Sequence, residues 1–240
     1  MAKMSDKPIA VVTGVGPGLG AALARRFARD YAVAINARGA GYLKELADEL
    51  RAGGATVMEA PADIGDRAQV EAAFALIRER LGPPDLLLYN AGTGTWGNIV
   101  EITPEQFEAT WRVNAFGAFL SAKAVAPDMI ARGRGVMLFT GATAGVKAGP
   151  RSAAFGPGKF AMRGLAQSLA RDLGPKGIHV AWINVDGAID APRIRARYPQ
   201  IKPDDMLKPE AIAETYWHLA HQDRSAWTME LEVRPFTEKF

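Results

Sequence analysis

Residues 13–20, Thr13-Gly14-Val15-Gly16-Pro17-Gly18-Leu19-Gly20, limit the folding options of this chain more than any other stretch. They follow the apolar run Ile9-Ala10-Val11-Val12 and open a helical pattern in which Leu19, Leu23 and Phe27 recur four apart. A strand, a glycine-rich turn and a helix start together make an anion site. Glycines let the backbone turn tightly and approach a diphosphate, and the first N–H groups of the helix point at it. A glycine turn alone says little, but this one has a strand before it and a helix after it. A tight turn with no ligand is the competing reading, and the residues after the later strands weigh against it.

Apolar strands alternate with amphipathic helices along the whole length. Val33-Ala34-Ile35-Asn36 reads as a second strand, and Leu43, Leu46, Ala47 and Leu50 then mark one helical face. Further strands are Thr56-Val57-Met58-Glu59-Ala60, Asp85-Leu86-Leu87-Leu88-Tyr89, Val136-Met137-Leu138-Phe139 and His179-Val180-Ala181-Trp182-Ile183. The run from Asp85 is continuously apolar, as in a sheet covered on both faces. Val70, Ala73, Phe74, Ile77 and Leu81 stripe a helix between the third and fourth strands. Thr103-Pro104-Glu105-Gln106 supplies an N-cap, a proline at the first helical position and a glutamine three past the cap. That helix is expected to reach about Met129, with Phe107, Trp111 and Ala115 on one stripe. Leu165, Leu169 and Leu173 stripe the next, and a late helix near Pro209 to His221 precedes a short strand around Met229 to Val233. The alternation predicts one doubly wound (Rossmann) α/β domain over residues 1–240, a parallel sheet of about seven strands with helices on both faces.

Composition excludes several functions. The 240 residues include no cysteine, which rules out disulfides and thiolate chemistry and suits a reducing, cytoplasmic compartment. No apolar run approaches a membrane span, and the N-terminus lacks the apolar core of a signal peptide. The net charge of +3 is spread among acids, without the basic cluster and aromatics that nucleic acid binding needs, so no nucleic acid partner is expected. His218 and His221 are three apart, but no third ligand accompanies them and no metal site is expected.

In such sheets ligands sit beyond the carboxyl ends of the strands. After the second strand stands Asn36-Ala37-Arg38, with an arginine where an NAD site usually places a carboxylate. A guanidinium can pair with a 2′-phosphate and stack on adenine, so the charge logic favours NADP(H) over NAD(H). Asp63-Ile64 follows the third strand, where Asp63 can accept from an adenine amino group, cap the following helix, or both. Asn90-Ala91-Gly92 brings backbone close to the cleft after the fourth strand. Asn114 is a polar residue in an apolar helical stretch, either a satisfied core amide or a group that orders water.

Thr13-Gly14-x3-Gly18-x-Gly20, Asp63, Asn90-Ala91-Gly92, Asn114 and Lys159, in this order and spacing, resemble the short-chain dehydrogenase/reductase family over nearly the whole chain. The resemblance implies a dinucleotide held by Thr13, Gly14, Gly16, Pro17, Gly18, Leu19, Gly20, Arg38, Asp63, Ile64, Asn90, Ala91, Gly92, Asn114, Lys159, Asp186, Gly187 and Ile189. It also implies a homodimer or homotetramer formed through the helices that carry Asn114 and Lys159. Family chemistry uses a serine, a tyrosine and a lysine, with an asparagine assisting. Lysine holds the nicotinamide ribose and lowers the tyrosine pKa, the phenol moves the proton, and the serine binds the substrate oxygen.

Of these groups Lys159 and Asn114 stand in place as catalytic residues, while Phe155 occupies the tyrosine position and Ala142 the serine position. Losing a positioned acid costs about 10²–10⁴ in rate, or roughly 3–5 kcal/mol of barrier. Asp190 is nearest the place of a family threonine that contacts the nicotinamide amide. Thr143, Ser152, Asp186, Asp190, Tyr198 and bound water are candidate proton sources. The loop from Asp190 to about Lys208 is expected to cover a small-molecule substrate, and Arg193, Arg195 and Arg197 point to an anionic group on it. Two readings follow. One is an NAD(P)(H)-dependent oxidoreductase that passes hydride to a small carbonyl or conjugated C=C, with a proton from a group other than tyrosine or from water. The other is a catalytically inactive NADP-binding sensor or partner subunit.

Overall fold

The computed structural model describes residues 6–238. In chain order the elements are β1 (Ile9–Thr13), α1 (Leu19–Phe27), β2 (Ala32–Ile35), α2 (Ala40–Ala52), β3 (Val57–Glu59), α3 (Arg67–Arg80), β4 (Leu86–Tyr89) and α4 (Pro104–Trp111). A π turn (Arg112–Phe116) leads into α5 (Gly117–Arg132), then β5 (Gly135–Thr140), α6 (Phe155–Leu173), β6 (Ile178–Val185), α7 (Pro192–Arg197), α8 (Pro209–Ala220) and β7 (Glu230–Val233).

The strands form one parallel sheet in the order β3-β2-β1-β4-β5-β6-β7. The chain runs outward from β1 to β3, then returns to lay β4 against β1, with Val11 beside both Ala34 and Leu87. That reversal opens a crevice beyond the strand ends, where ligands sit in such sheets.

Strand period explains why both faces are covered. Val12, Val33, Leu88 and Leu138 point to one side, where Leu23, Phe27, Leu43, Leu46 and Tyr216 of α1, α2 and α8 pack on them. Val11, Leu87, Met137 and Val180 point to the other, against Val70, Phe74, Val125, Met129 and Met162 of α3, α5 and α6. Each such side chain contributes roughly 1.5–3 kcal/mol on full burial, so neither face can be left to water.

Two expectations are corrected. The helix begun at Thr103 continues past Met129 to Arg132, where Gly133 ends it at φ 61°. Its stripe breaks: Ala115 is buried, but Phe107 and Trp111 are 41% and 39% exposed. The π turn inserts a residue and rotates the helix face by about 100°, so residues before it lose phase with those after it. The short helix α7 was not foreseen.

Candidate functional site

The strand ends and the loops after them enclose a cleft of about 1160 Å³. Its floor begins at the glycine turn. Gly14 has φ 68°, and a Cβ there would land on the backbone of Ala91. Gly20 is as tight, with the Gly14 carbonyl oxygen 2.5 Å from where a Cβ would sit. The turn delivers the chain to α1, which has no capping side chain and no acid in its first turn. Gly16, Pro17, Gly18, Leu19 and Gly20 line the cleft. An uncapped helix start opening on a cleft is electropositive and fits an anionic group such as a diphosphate.

Hydrogen bonds from distant elements hold this turn. The Thr13 hydroxyl accepts from the Asn90 and Ala91 amides at 3.2 and 3.4 Å. Asn90 Nδ2 donates to the Gly14 carbonyl at 3.1 Å. The Thr140 hydroxyl donates to Asn90 Oδ1 at 3.3 Å and accepts from the Tyr216 hydroxyl at 2.8 Å. Thr13 is therefore fully buried beneath the turn and does not line the cleft, although it stands among the expected contacts.

At one end of the cleft lie Arg38, Asp63 and Ile64. Arg38 is exposed on the rim, just past Asn36, whose Nδ2 donates to Ala60 and Ala62 carbonyls at 2.8 and 3.3 Å and ties β2 to β3. Asp63 Oδ1 accepts from the Gly65 amide at 2.8 Å. The cap of α3 is Asp66, which accepts from the Gln69 amide, so the expectation that Asp63 caps this helix is corrected.

At the other end Lys159, Phe155, Ala142, Gly92 and Thr143 line the wall. One turn of α6 separates Phe155 from Lys159, and the ammonium lies 5.7 Å from the ring centroid. Lys159 is only 4% exposed and Nζ donates to the Thr140 carbonyl at 2.9 Å. Burial pushes its pKa down to about 8. The π turn carries Asn114, which has no exposed surface. Its Nδ2 donates to the Thr93 and Thr110 carbonyls at 2.7 and 2.9 Å, while Oδ1 has no partner among the described residues. That atom and Lys159 Nζ both lie within 3.4 Å of where a Cβ on Gly92 would sit. Asn114 is thus half satisfied: the donor is used inside the core and the acceptor is left unpaired behind Gly92, although Asn114 itself does not line the cleft.

The acids after β6 are already engaged. Asp186 is buried and does not line the cleft, whereas Gly187 and Ile189 do. Thr143 donates to its Oδ1 at 2.5 Å and Arg234 pairs with Oδ2. Burial alone would raise its pKa, but Thr143 and Arg234 outweigh burial and hold it below the usual range. Asp190 receives Arg195 on both oxygens, which holds its pKa low, and it does not line the cleft where the amide contact was expected. The Ser152 hydroxyl is buried on the Gly149 carbonyl at 2.6 Å, away from the cleft. Of the side chains considered as proton sources, Thr143 and Tyr198 line the cleft. Tyr216 and Arg234, which fix this architecture, carried no local sequence signal because both arrive from more than 45 residues away.

Comparison with known proteins adds a family to this geometry. The short chain dehydrogenase family model matches residues 8–199, and the chain belongs to that family. The short-chain dehydrogenase/reductase eriH of Hericium erinaceus is 39% identical over 181 residues, 73% of this chain and 72% of that protein. Oxidoreductase UcpA of Salmonella typhimurium is 34% identical over 213 residues, 88% of this chain and 79% of that one. Among solved structures, an alcohol dehydrogenase from the archaeon Thermococcus sibiricus complexed with 5-hydroxy-NADP superimposes with a TM-score of 0.86 at 28% identity, covering 97% of this chain and 98% of that one. No helix among the described residues is long and apolar enough to cross a membrane.

Proposed function

We propose that this chain is an NADP(H)-dependent oxidoreductase with an altered reacting end. One observation carries the reading: an uncapped helix start and a buried lysine open on one cleft, while the side chains beside that lysine, Phe155 and Ala142, carry no exchangeable proton. The residues fit a dinucleotide. The glycine turn would hold the diphosphate, Arg38 a 2′-phosphate and Asp63 the adenine. The orphan Asn114 oxygen and the two uncommitted Lys159 N–H groups would meet the ribose or its water. Arg38 makes no ion pair or hydrogen bond with a described residue, which leaves its charge for a phosphate and supports NADP(H) over NAD(H). The NADP-type ligand in the Thermococcus relative agrees with this.

When bound, the cofactor supplies the hydride and both electrons. What the protein supplies differs from the family's usual arrangement. Phe155 neither gives nor takes a proton, and Ala142 binds no oxygen. Thr143 directs its proton to Asp186 and so presents an acceptor to the cleft. Such a wall suits a C=C conjugated to a carbonyl, whose reduction leaves a delocalised enolate, a weaker base than an alkoxide, that water can protonate. The lack of an acid at Phe155 also favours a second reading, an inactive NADP-binding sensor or partner subunit.

NADPH fluorescence on titration with protein, followed by NADPH consumption against a panel of enones, quinones and aldehydes, separates the two. Tight binding with turnover on a conjugated acceptor is expected; binding without any turnover selects the sensor, and no binding rejects both. Phe155→Tyr with Ala142→Ser should raise carbonyl reduction by about 10²-fold or more. A double variant that binds NADPH yet gains nothing would contradict the assignment of these two positions.

A further inference from the structure

The helix α7 presents one face to the cleft. Arg193, Ile194, Arg197 and Tyr198 line it, while Arg195 on the opposite side is locked to Asp190. The three arginines of this segment are therefore not equivalent, and the charge available to a ligand is that of Arg193 and Arg197. Neither makes an ion pair or a hydrogen bond with a described residue; Arg197 rests only against the Tyr198 ring, 5.3 Å from its centroid. Ala191, just before α7, packs on Gly18, with its Cβ 3.0 Å from where a Gly18 Cβ would sit. The helix thus starts over the glycine turn. At about 1.5 Å rise per residue, Arg197 lies some 9 Å along α7 from Ala191, one turn farther than Arg193 from the residue that packs on the glycine turn.

A second feature lies in the same cleft. Trp96 is 44% exposed, and its ring stands 5.0 Å from that of Phe155, tilted by 47°. Both rings line the cleft, as do Val113 and Ala142. Together they make an apolar, aromatic-lined wall at the place where the family's polar groups are missing. Aromatic faces and edges of this kind favour a planar ring in offset or tilted contact, and a cation without a partner favours a carboxylate.

We infer that the substrate is an aryl-conjugated carbonyl compound bearing a carboxylate, its ring on Trp96 and Phe155 and its carboxylate on Arg197. The inference rests on the oxidoreductase reading for its chemistry but not for its binding. A bound dihydronicotinamide would supply the hydride for a new C–H bond at the β carbon of the conjugated C=C. The C=C π pair would then become that of an enolate, delocalised over carbon and oxygen, with water supplying the proton and the oxidised cofactor as the other product.

Three probes test it: 4-(3-oxobut-1-enyl)benzoate, its methyl ester, and the open-chain acid 4-oxopent-2-enoate. Affinities are read by calorimetry with and without saturating NADP⁺, and turnover by NADPH consumption. The aryl acid should bind at least about tenfold tighter than its ester, and the difference should shrink as salt is raised. Arg197→Gln should erase that factor and leave the ester's affinity unchanged, with Arg197→Lys in between. Trp96→Ala should weaken both aryl compounds about tenfold and leave the open-chain acid unaffected. Both positions are exposed, so retained melting curves will show the variants folded. An ester that binds as well as the acid, or a ratio that survives Arg197→Gln, overturns the inference. A folded protein that binds the aryl acid as described but consumes no NADPH leaves the inference standing and rejects the oxidoreductase reading. Absence of NADP⁺ binding does the same, because the ratio is also measured without cofactor.

Discussion

Lys159 shows how much one buried charge decides at the residue scale. Its ammonium has one protein acceptor, the Thr140 carbonyl, and no carboxylate beside it to offset the loss of water. Burial holds its pKa near 8, below the ordinary value of 10.5, so the native state releases the proton before the unfolded chain does. Between those values the unfolded chain binds more protons, and stability must rise with pH across that window. The full swing is roughly 3 kcal/mol. Lys159→Met removes the titration, so the stability of the wild type relative to the variant should be level below pH 7 and rise from about pH 8 toward pH 10. Paired urea melts read this as a difference that cancels every other titrating group; a gap independent of pH would mean that Lys159 is not desolvated. The glycine turn makes a sharper contrast. Gly14→Ala meets both a positive φ and the Ala91 backbone and should cost more than about 2 kcal/mol. A Cβ on Gly16 meets nothing within 4 Å. Gly16→Ala should therefore melt like the wild type yet bind NADPH several-fold more weakly, since the methyl would occupy space that the ligand needs. If both variants lose stability alike, Gly16 is structural too.

Element boundaries separate what sequence can express locally from what it cannot. The start of α4 was legible because every participant lies within four residues: the Thr103 hydroxyl accepts from the Gln106 amide at 3.2 Å, and Gln106 Oε1 accepts from the Thr103 amide at 3.0 Å. Thr103→Ala should cost about 1 kcal/mol and Thr103→Ser almost nothing, a difference that urea midpoints resolve. The π turn that follows the first eight residues of the predicted helix is not legible. Nothing in Arg112-Val113-Asn114-Ala115-Phe116 announces an inserted residue, because it is the fit of Asn114 against Gly158, Thr93 and Thr110 that selects it. The assignment of the cap on α3 failed for a related reason. Asp63 and Asp66 are both competent by composition, and the turn made by the Gly65 amide on Asp63 leaves Asp66 at the helix start. Asp186 was read as a ligand contact because its partner Arg234, 48 residues on, cannot be seen from spacing.

For the whole molecule, the sheet and its cleft were readable because they follow from period: runs apolar at every position need cover on both faces, and the crevice follows from strand order. The sequence pattern also contains a surplus that the monomer does not use. Trp111 stacks on Phe116 at 5.8 Å, and Phe116 on Phe119 at 6.3 Å, a ladder whose two outer rings are exposed, as is Phe107 on α4. Phe160 on α6 is exposed as well. Aromatic rings in such a row are costly to leave in water, and the expectation of a homodimer or homotetramer through these helices gives them cover. Because Asn114 lies inside the same turn, an interface here would also brace the residue whose Oδ1 is left unpaired beside Lys159. Trp111→Glu with Phe119→Glu places two charges on the ladder without touching the core or the glycine turn. Light scattering at micromolar concentration should show the wild type as a dimer or tetramer and the double variant at one chain's mass, with its NADPH affinity reduced. A wild type already at one chain's mass, or a double variant that assembles as before, would mean that the ladder faces water or some other partner.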